Sequence, residues 1–469
     1  MQHSQYAHHN MARAGWFSGD GHQHIQPGPG ALERTAAWCG EQALHWLFVC
    51  QPWFAKRDWY GTDAKAGMPA PAAHAGFNAW LGAEAPKTRY GHTWWVNLRA
   101  LHRPFRHYTD RTMERHYVSP VTGNPAEIPY ESVPMHVAWA EHLADGAVPV
   151  HPHPTSWWTA HEGRTFVTNI SALLPLYVLS GMGPAVMVVM GYDADHVFYQ
   201  DLWFNLLNRG YRVTAAAETD GAVDSARPRF RIGAFRTYAY LGPDARVTAD
   251  AVACAIRQGR TIVSSGPFID ARIVDGAGSH RPGSVLQADG RARRLELSIH
   301  AAPLPGEAVS HVLVYRNGSL FRHRNLTDAR HARWTESIDL AERDEAWYIV
   351  KCYGAAGPSS DAAFDVRRFA QACIASGETP YAGDGQVAMT SPFYFRGDTS
   401  RPDPPPLLPT AAAWERAMGD GVVRGLTERL WTGAWRAEHP AAAPGQVPWE
   451  AFAFDALAAR LKELKTRRA

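Results

Sequence analysis

The sequence predicts an α/β protein whose first region is followed by a β-rich module and by C-terminal helices. Residues 1–266 alternate helical and strand-like segments, which is the pattern of an α/β barrel or a doubly wound sheet. Residues 267–400 instead alternate apolar and polar side chains with a period of two, as a β-sandwich does. Because 469 residues exceed what one hydrophobic core usually supports, we expect several domains, with boundaries at 1–266, 267–400 and 401–469.

In the first region each helical segment leads into a strand-like one. The predicted elements are helices over residues 31–43, 135–144 and 201–208 and strands over residues 44–50, 147–150 and 211–216. Gly210 is placed to end the third helix, because glycine readily adopts the left-handed conformation that follows a helix. This regular succession favours an architecture with parallel strands and helices between them.

The β-rich module is predicted from runs such as 295–299, 312–315 and 347–351, and it extends to about residue 395. The Asn317-Gly318 pair between two of these runs is typical of a tight hairpin turn. A proline-rich linker over residues 401–409 then precedes amphipathic helices between residues 411 and 465.

One apolar stripe on the C-terminal helices indicates that they dock on another surface. The stripe contains Trp414, Leu426, Leu430 and Trp435. Such a face is expected to pack against the first region or against a second subunit, so a homo-oligomer is possible.

Composition and charge exclude some classes of partner. The 47 basic and 45 acidic residues give a net charge of +2, which predicts neither nucleic acid nor an anionic membrane as a partner. No apolar run approaches the roughly 18 residues of a membrane span. The five cysteines are dispersed without CxxC spacing, and no signal-peptide pattern is visible. We expect a cytoplasmic protein by default, with a secreted or periplasmic form left open, and a small molecule as substrate.

The segment at residues 19–24, Gly-Asp-Gly-His-Gln-His, is the most informative motif of the chain. His22 and His24 follow an apolar run and are separated by one residue, so both imidazoles can bind one divalent cation. Neutral imidazole suits zinc, manganese or iron. The chain has 23 histidines, however, and a pair at this spacing can also arise by chance.

Four further candidate ligands follow strand-like segments, where a barrel would gather them at one mouth. They are Glu84, His92, His151 and Asp220. Each has a simpler explanation: Glu84 as a surface carboxylate, and the other three as polar residues of turns. Convergence of the set, rather than any single residue, is the reason to predict a metal site.

Several motifs together resemble a known family. They are the segment 19–24, the Gly-His pair at 91–92 after Glu84, the strand end His151-Pro152, and Leu-Leu-Asn-Arg-Gly-Tyr-Arg at 206–212 leading to Glu-Thr-Asp at 218–220. This combination resembles the PHP (polymerase and histidinol phosphatase) metallohydrolases. The branch to which it is similar is the CehA/McbA family, named for carbaryl hydrolase. The likeness covers about residues 15–400 and is most specific over residues 236–267, from Arg-Thr-Tyr to Ser-Ser-Gly-Pro.

The resemblance implies a distorted PHP-type (β/α)7 barrel followed by a β-sandwich. It also implies a ligand set for two divalent metal ions (Zn, Mn or Fe). His22, His24, Glu84 and Asp220 would bind one ion, and Glu84 would bridge to a second ion held by His92 and His151. Two histidines of the trinuclear family members are missing, because Cys50-Gln51-Pro52 and Gly221-Ala222 stand where they occur. We therefore expect a dinuclear site without the third metal.

Two neighbouring cations would lower the pKa of a bridging water toward neutrality and polarise the bond that the resulting hydroxide attacks. The reaction class is hydrolysis. His153 is the first candidate for the general acid that protonates the leaving group, and His196 is the second. His153 has alternative explanations as a metal ligand or as a solvent-exposed neighbour. Cys50 is expected to be inert packing and Gln51 to contact substrate or a ligand.

The resemblance favours an ester, amide or carbamate of a small organic molecule as substrate. Aromatic residues near the predicted site could line a pocket for such a molecule, although most could equally fill the barrel: Trp59, Tyr90, Trp94, Trp95, Trp157 and Trp158. Cationic residues that could bind phosphate show little clustering: Lys87, Arg89, Arg236 and Arg260. A PHP-type phosphoesterase and a non-catalytic metal- or ligand-binding barrel remain the alternatives.

Overall fold

The structure is a computed structural model of the chain. It describes residues 7–25, 31–51, 78–83, 93–99, 135–152, 156–158, 166–168, 173–191, 197–223, 225, 230–356, 386–400, 404, 406–432 and 454–466.

The fold is mixed α/β, as the sequence predicts. After a short 3-10 helix at Ala12–Ala14, the strands of the first region are β1 (Trp16–Gln23), β2 (Trp46–Gln51), β3 (Asn78–Ala83), β4 (Trp94–Val96), β5 (Val148–Val150), β6 (Ser156–Trp158), β7 (Phe166–Thr168), β8 (Ala185–Met190), β9 (Val213–Ala217), β10 (Arg236–Tyr240) and β11 (Thr261–Ser264). Its helices are α1 (Ala31–Glu41), α2 (Met135–Ala144), α3 (Leu173–Ser180), α4 (Val197–Asn208) and α5 (Ala249–Arg257). The helix predicted over 201–208 begins earlier, at Val197, and Gly210 follows it with a φ of 84°.

Strand β1 lies at the centre of the first region. It pairs in parallel with β2, which pairs in parallel with β3, and its other edge pairs antiparallel with β10. All eight residues of β1 are buried, as expected for a strand covered on both faces. Its glycines allow tryptophans to lie directly against the backbone. A Cβ atom on Gly19 would be 2.0 Å from Trp46, and one on Gly21 would be 2.1 Å from Trp94.

The remaining strands of this region form smaller pairs. β8 and β9 are parallel, whereas β4 and β5 are antiparallel, which departs from the all-parallel pattern of a regular α/β barrel. Isolated parallel bridges join His151 to Met187 and Gln23 to Gly221. Hydrogen-bonded pairing among the described residues does not close into a barrel.

The β-rich region follows directly. Its strands are β12 (Phe268–Asp275), β13 (Gly278–His280), β14 (Val285–Gln287), β15 (Arg293–His300), β16 (His311–Arg316), β17 (Ser319–Asn325), β18 (Arg333–Leu340), β19 (Ala346–Tyr353), β20 (Val387–Thr390) and β21 (Phe393–Arg396). β13-β12-β15-β18 form a four-stranded sheet, and β20 pairs with β11, so the other strands continue the large sheet of the first region. That sheet therefore crosses the expected boundary at residue 266. Asn317 and Gly318 form the predicted turn between β16 and β17, with φ values of 51° and 82°.

Three further helices are described near the C-terminus: α6 (Ala411–Gly419), α7 (Gly421–Thr432) and α8 (Phe454–Thr466). The ring of Trp414 on α6 lies 5.6 Å from that of Trp139 on α2, edge to face. Trp414 and Leu426 are buried in the main apolar cluster of the first region, so the predicted docking surface is observed for these two residues. The side chain of Leu430 and all of Trp435 lie outside the described residues. Of the helices described, none has the length and apolar character required to span a bilayer.

Candidate metal centre

Three side chains that could bind a metal ion converge where two strands of the first region end. His22 lies in β1, His24 follows it, and Asp220 follows β9. Their potential ligand atoms all lie within 4.8 Å of one another. His24 Nε2 is 2.8 Å from Asp220 Oδ1, and His22 Nε2 is 3.4 Å from the same oxygen. Residues distant in sequence thus form one compact group.

Backbone pairing holds the two strand ends together. Gln23 and Gly221 form a parallel bridge, the His24 N–H donates to the Gly221 carbonyl at 2.9 Å, and the Asp220 N–H donates to the His22 carbonyl at 3.1 Å. Asp220 has a φ of 50°, a left-handed conformation that aspartate adopts more readily than most residues. The carboxylate is therefore placed by a turn locked against the end of β1.

The chain after Asp220 has no room for another ligand at position 221. A Cβ atom on Gly221 would lie 1.9 Å from the Phe230 carbonyl oxygen, and the next residue, Ala222, donates its N–H to that oxygen at 2.9 Å. Position 221 therefore lies at a close backbone contact that a side chain would disrupt.

The electrostatics of the group favour a cation. His22 is fully buried, whereas the side chains of His24 and Asp220 are 23% and 13% exposed, so the site opens on their side. Burial lowers the pKa of His22, but the carboxylates of Asp220 and Glu218 outweigh it and raise that pKa well above its ordinary value. The two carboxylates beside the buried imidazole would stabilise a bound metal ion in the same way as they stabilise the protonated form of His22.

Asp20 fixes the backbone beside this group. Its carboxylate accepts from the Gly233 N–H at 2.9 Å, the His22 N–H at 3.4 Å, and both the backbone N–H and the hydroxyl of Thr219. Burial raises the pKa of Asp20 to about 6, although these hydrogen bonds lower it. Asp20 thereby ties β1 to the segments that follow β9 and precede β10.

Arg236 stabilises the same backbone. Its buried guanidinium donates to the Gly233 carbonyl at 3.0 Å, the Gln42 carbonyl at 2.9 Å and the Ser18 hydroxyl at 3.4 Å. The structure therefore does not support the suggestion that Arg236 binds phosphate, because its guanidinium is buried and its Nε and Nη1 donate to these protein groups. Arg260 is exposed, and the other two candidate cations lie outside the described residues.

Of the other predicted site residues, the structure describes His151, which does not belong to the three-residue group. His151 is fully buried, with its ring 5.2 Å from that of Tyr177 on α3 and 6.0 Å from that of Trp139 on α2. The remaining predicted ligands and both general-acid candidates lie outside the described residues: Glu84, His92, His153 and His196. The second metal and the acid stay predictions.

Cys50 is buried beside the site, and its thiol donates to the Gly21 carbonyl at 3.7 Å. It belongs to the main apolar cluster, as expected for packing. The described residues include the backbone of Gln51 at the end of β2, but not its side chain. Of the candidate pocket aromatics, Trp94 and Trp95 are buried in the core, and Trp94 lies 6.2 Å from the ring of His22.

Sequence reasoning missed Glu218. This fully buried carboxylate uses one oxygen, Oε2, to contact His22 Nδ1 at 2.8 Å and the indole Nε1 of Trp94 at 2.7 Å. The available signal was its position two residues before Asp220, directly after a buried strand. Nothing in the sequence indicates which residues a carboxylate there would contact.

The donor set fits a divalent metal ion. Two imidazoles and one carboxylate suit zinc, manganese or iron, and the donor atoms already face one another across a few ångströms. Among the described residues the group supplies three ligands, which leaves coordination positions for a further side chain, water or substrate.

No protein-family model matches the chain, and no curated protein matches its sequence. The resemblance to PHP metallohydrolases therefore remains a prediction from motifs, and the functional argument rests on the geometry of the site.

Proposed function

We propose that the protein is a metal-dependent hydrolase that cleaves an ester, amide or carbamate bond of a small organic substrate. The observation that carries the proposal is the convergence of His22, His24 and Asp220 at the meeting point of two strand ends. The partly exposed edges of His24 and Asp220 give such a site an accessible side. Accessibility is what a catalytic centre needs and a structural metal site does not.

The proposal includes a PHP-type barrel and a β-sandwich. Parallel pairing of β1-β2-β3 and of β8-β9, together with the bridges at His151 and Gln23, supports a ring of strands with β1 next to β9. The antiparallel pair β4-β5 would be part of its distortion. For the sandwich, the support is an apolar cluster shared by both sheets of the β-rich region, with Leu295 on one and Val350 on the other.

A bound divalent ion would supply an activated water and a Lewis acid. The chain's own residues would divide the remaining work. His22 would hold the ion from the buried side, and His24 and Asp220 would hold it at the open side. In the full proposal Glu84, His92 and His151 would hold a second ion, and His153 or His196 would protonate the leaving group.

The proposal prefers an ester or amide to a phosphoester because of the resemblance, and the position of Arg236 agrees with that preference. Phosphoryl-transfer sites use arginine or lysine to neutralise the charge of the transferred group. The guanidinium of Arg236 is committed to backbone carbonyls on the side of Gly233 and Gln42. It therefore does not provide that function.

The first experiment measures metal content and hydrolysis together. We expect the protein purified without chelator to hold at least one zinc, manganese or iron ion and to hydrolyse an aryl ester faster than an aryl phosphate. Asp220→Ala and His24→Ala should each lose metal and activity, because each removes one of three clustered ligands. His311→Ala is the matched control, since His311 lies in β16 of the β-rich region.

The outcomes separate the candidates. Elemental analysis showing less than one metal per chain would favour the non-catalytic binding protein. Faster cleavage of the aryl phosphate would favour the phosphoesterase. Full metal content and unchanged turnover in Asp220→Ala would contradict the assignment of this group as the site.

A further inference from the structure

The contacts of Glu218 are those of a group that holds another residue in place. Its side chain is fully buried, although an ionised carboxylate is costly to bury without hydrogen bonds. Oε2 accepts from the Trp94 indole at 2.7 Å and lies 2.8 Å from His22 Nδ1. An ionised carboxylate can only accept, so Nδ1 of His22 carries the hydrogen of this contact.

That hydrogen bond determines which nitrogen of His22 faces the site. A neutral imidazole has one N–H and one lone pair. When a metal displaces the second proton of His22, the hydrogen held on Nδ1 leaves the lone pair on Nε2, which is the nitrogen 3.4 Å from Asp220 Oδ1. The tautomer selected by Glu218 is therefore the one that can bind a metal between His22 and Asp220.

Packing fixes the position of Glu218 from two further sides. The Trp94 ring lies against the backbone of Gly21, where a Cβ atom would be 2.1 Å from the ring, so the indole cannot move toward β1. Gly191 also lies close to this side chain, since a Cβ atom there would be 3.1 Å from Glu218 Cγ. The Glu218 side chain thus contacts a fixed donor through its carboxylate and lies beside a glycine through its Cγ.

We propose that Glu218 is a positioning residue that holds His22 in the metal-binding tautomer and orientation, with Trp94 fixing the carboxylate. This inference rests on the proposed metal site. Carboxylates that accept from the second nitrogen of a metal-bound histidine also increase the basicity of the ligating nitrogen. Glu218 therefore acts through His22 and does not itself touch the metal.

The test compares the metal affinity of full-length variants by chelator competition with zinc. Glu218→Gln preserves the shape but removes the charge, and its amide can donate to Nδ1 and select the wrong tautomer. We expect its zinc affinity to fall by about 10- to 100-fold. Trp94→Phe should weaken affinity less, because it removes only the group that fixes the carboxylate.

Two further measurements distinguish positioning from general stability. Thermal unfolding of the metal-free proteins should show that Glu218→Gln remains folded at the temperature of the titration. The absorption bands of bound cobalt should shift in Glu218→Gln, because the ligand field of His22 changes. Glu342→Gln is the matched control: Glu342 is also a largely buried carboxylate, with Arg316 and Tyr348 as donors, and belongs to the β-rich region.

The outcomes distinguish the inference about Glu218 from the proposed hydrolase function. Weakened zinc binding and shifted cobalt bands in Glu218→Gln, with both unchanged in Glu342→Gln, would support the inference. Wild-type affinity and an unchanged spectrum in Glu218→Gln would overturn it while leaving the proposed hydrolase intact. A wild-type protein that binds neither ion, and behaves as Asp220→Ala does, would overturn both proposals.

Discussion

The charged groups around β1 and the Arg316–Glu342 pair of the β-rich region differ in how deeply they are buried and in what holds them. Asp20, Glu218 and Arg236 are fully or almost fully buried, and their partners include backbone groups, the Thr219 hydroxyl and the Trp94 indole. In the β-rich region Arg316 pairs with Glu342 at 2.6 Å, with the arginine 32% exposed. Buried charges of the first kind fix the position of the chain, whereas partly exposed pairs of the second kind contribute little to stability. The candidate metal site lies among the buried charged groups that fix the position of the chain.

Replacing Arg236 is expected to have the largest effect on stability, and it tests whether the buried charges around β1 stabilise the fold. Arg236→Met fills the space but leaves the Gly233 and Gln42 carbonyls and the Asp20 charge without a cation beside them. We expect the free energy of unfolding to fall by about 3 to 5 kcal/mol, because breaking a buried charge network leaves polar groups uncompensated. Urea denaturation measures this loss. A loss below about 1 kcal/mol would mean that Arg236 contributes no more to stability than a surface ion pair does.

The sequence predicts local features of this molecule well. The helix at 135–144 has the predicted bounds, and the Asn317-Gly318 turn has the expected positive φ values, because both depend on neighbouring residues. His22 and His24 were predicted as a pair for the same reason. Asp220 joins them in the structure, as the convergence of strand ends suggests.

Features that depend on distant contacts could not be read from the sequence. The Glu218 contacts join β9 to β1 and β4, and no spacing rule relates such residues. The same holds for the β11-β20 pairing, which carries one sheet across the boundary expected at residue 266. The role of Arg236 could not be predicted for a related reason. Neither composition nor periodicity indicates that a buried arginine will donate to backbone carbonyls.

Glycine offers a second contrast between the regions, with a smaller expected effect. Gly19→Ala would place a Cβ atom 2.0 Å from the Trp46 ring and 2.3 Å from its carbonyl oxygen. We expect a loss of about 1 to 3 kcal/mol, because the paired strands β1 and β2 must move apart. Gly276→Ala is the control in the β-rich region, since nothing lies within 4 Å of its added Cβ, and it should stay within about 0.5 kcal/mol of wild type. Equal losses of stability in the two variants would mean that β1 can shift to accommodate a Cβ atom more easily than its burial indicates.

The smallest effect on stability is expected for the Arg316–Glu342 pair. The pH dependence of this effect further distinguishes the pair from the buried charges around β1. Burial raises the pKa of Glu342, but hydrogen bonds from Arg316 and Tyr348 outweigh it and leave the pKa below its ordinary value. A carboxylate with a lowered pKa stabilises the fold above its unfolded pKa and loses that contribution as the pH falls through the folded value. We expect Arg316→Met to cost about 0.5 to 1 kcal/mol near neutral pH. The difference from wild type should shrink below about pH 4, where glutamate protonates. Urea denaturation of both proteins at neutral and acidic pH measures this. A difference that stays the same in acid would show that Arg316 stabilises the sheet through packing of its aliphatic stem and not through its charge.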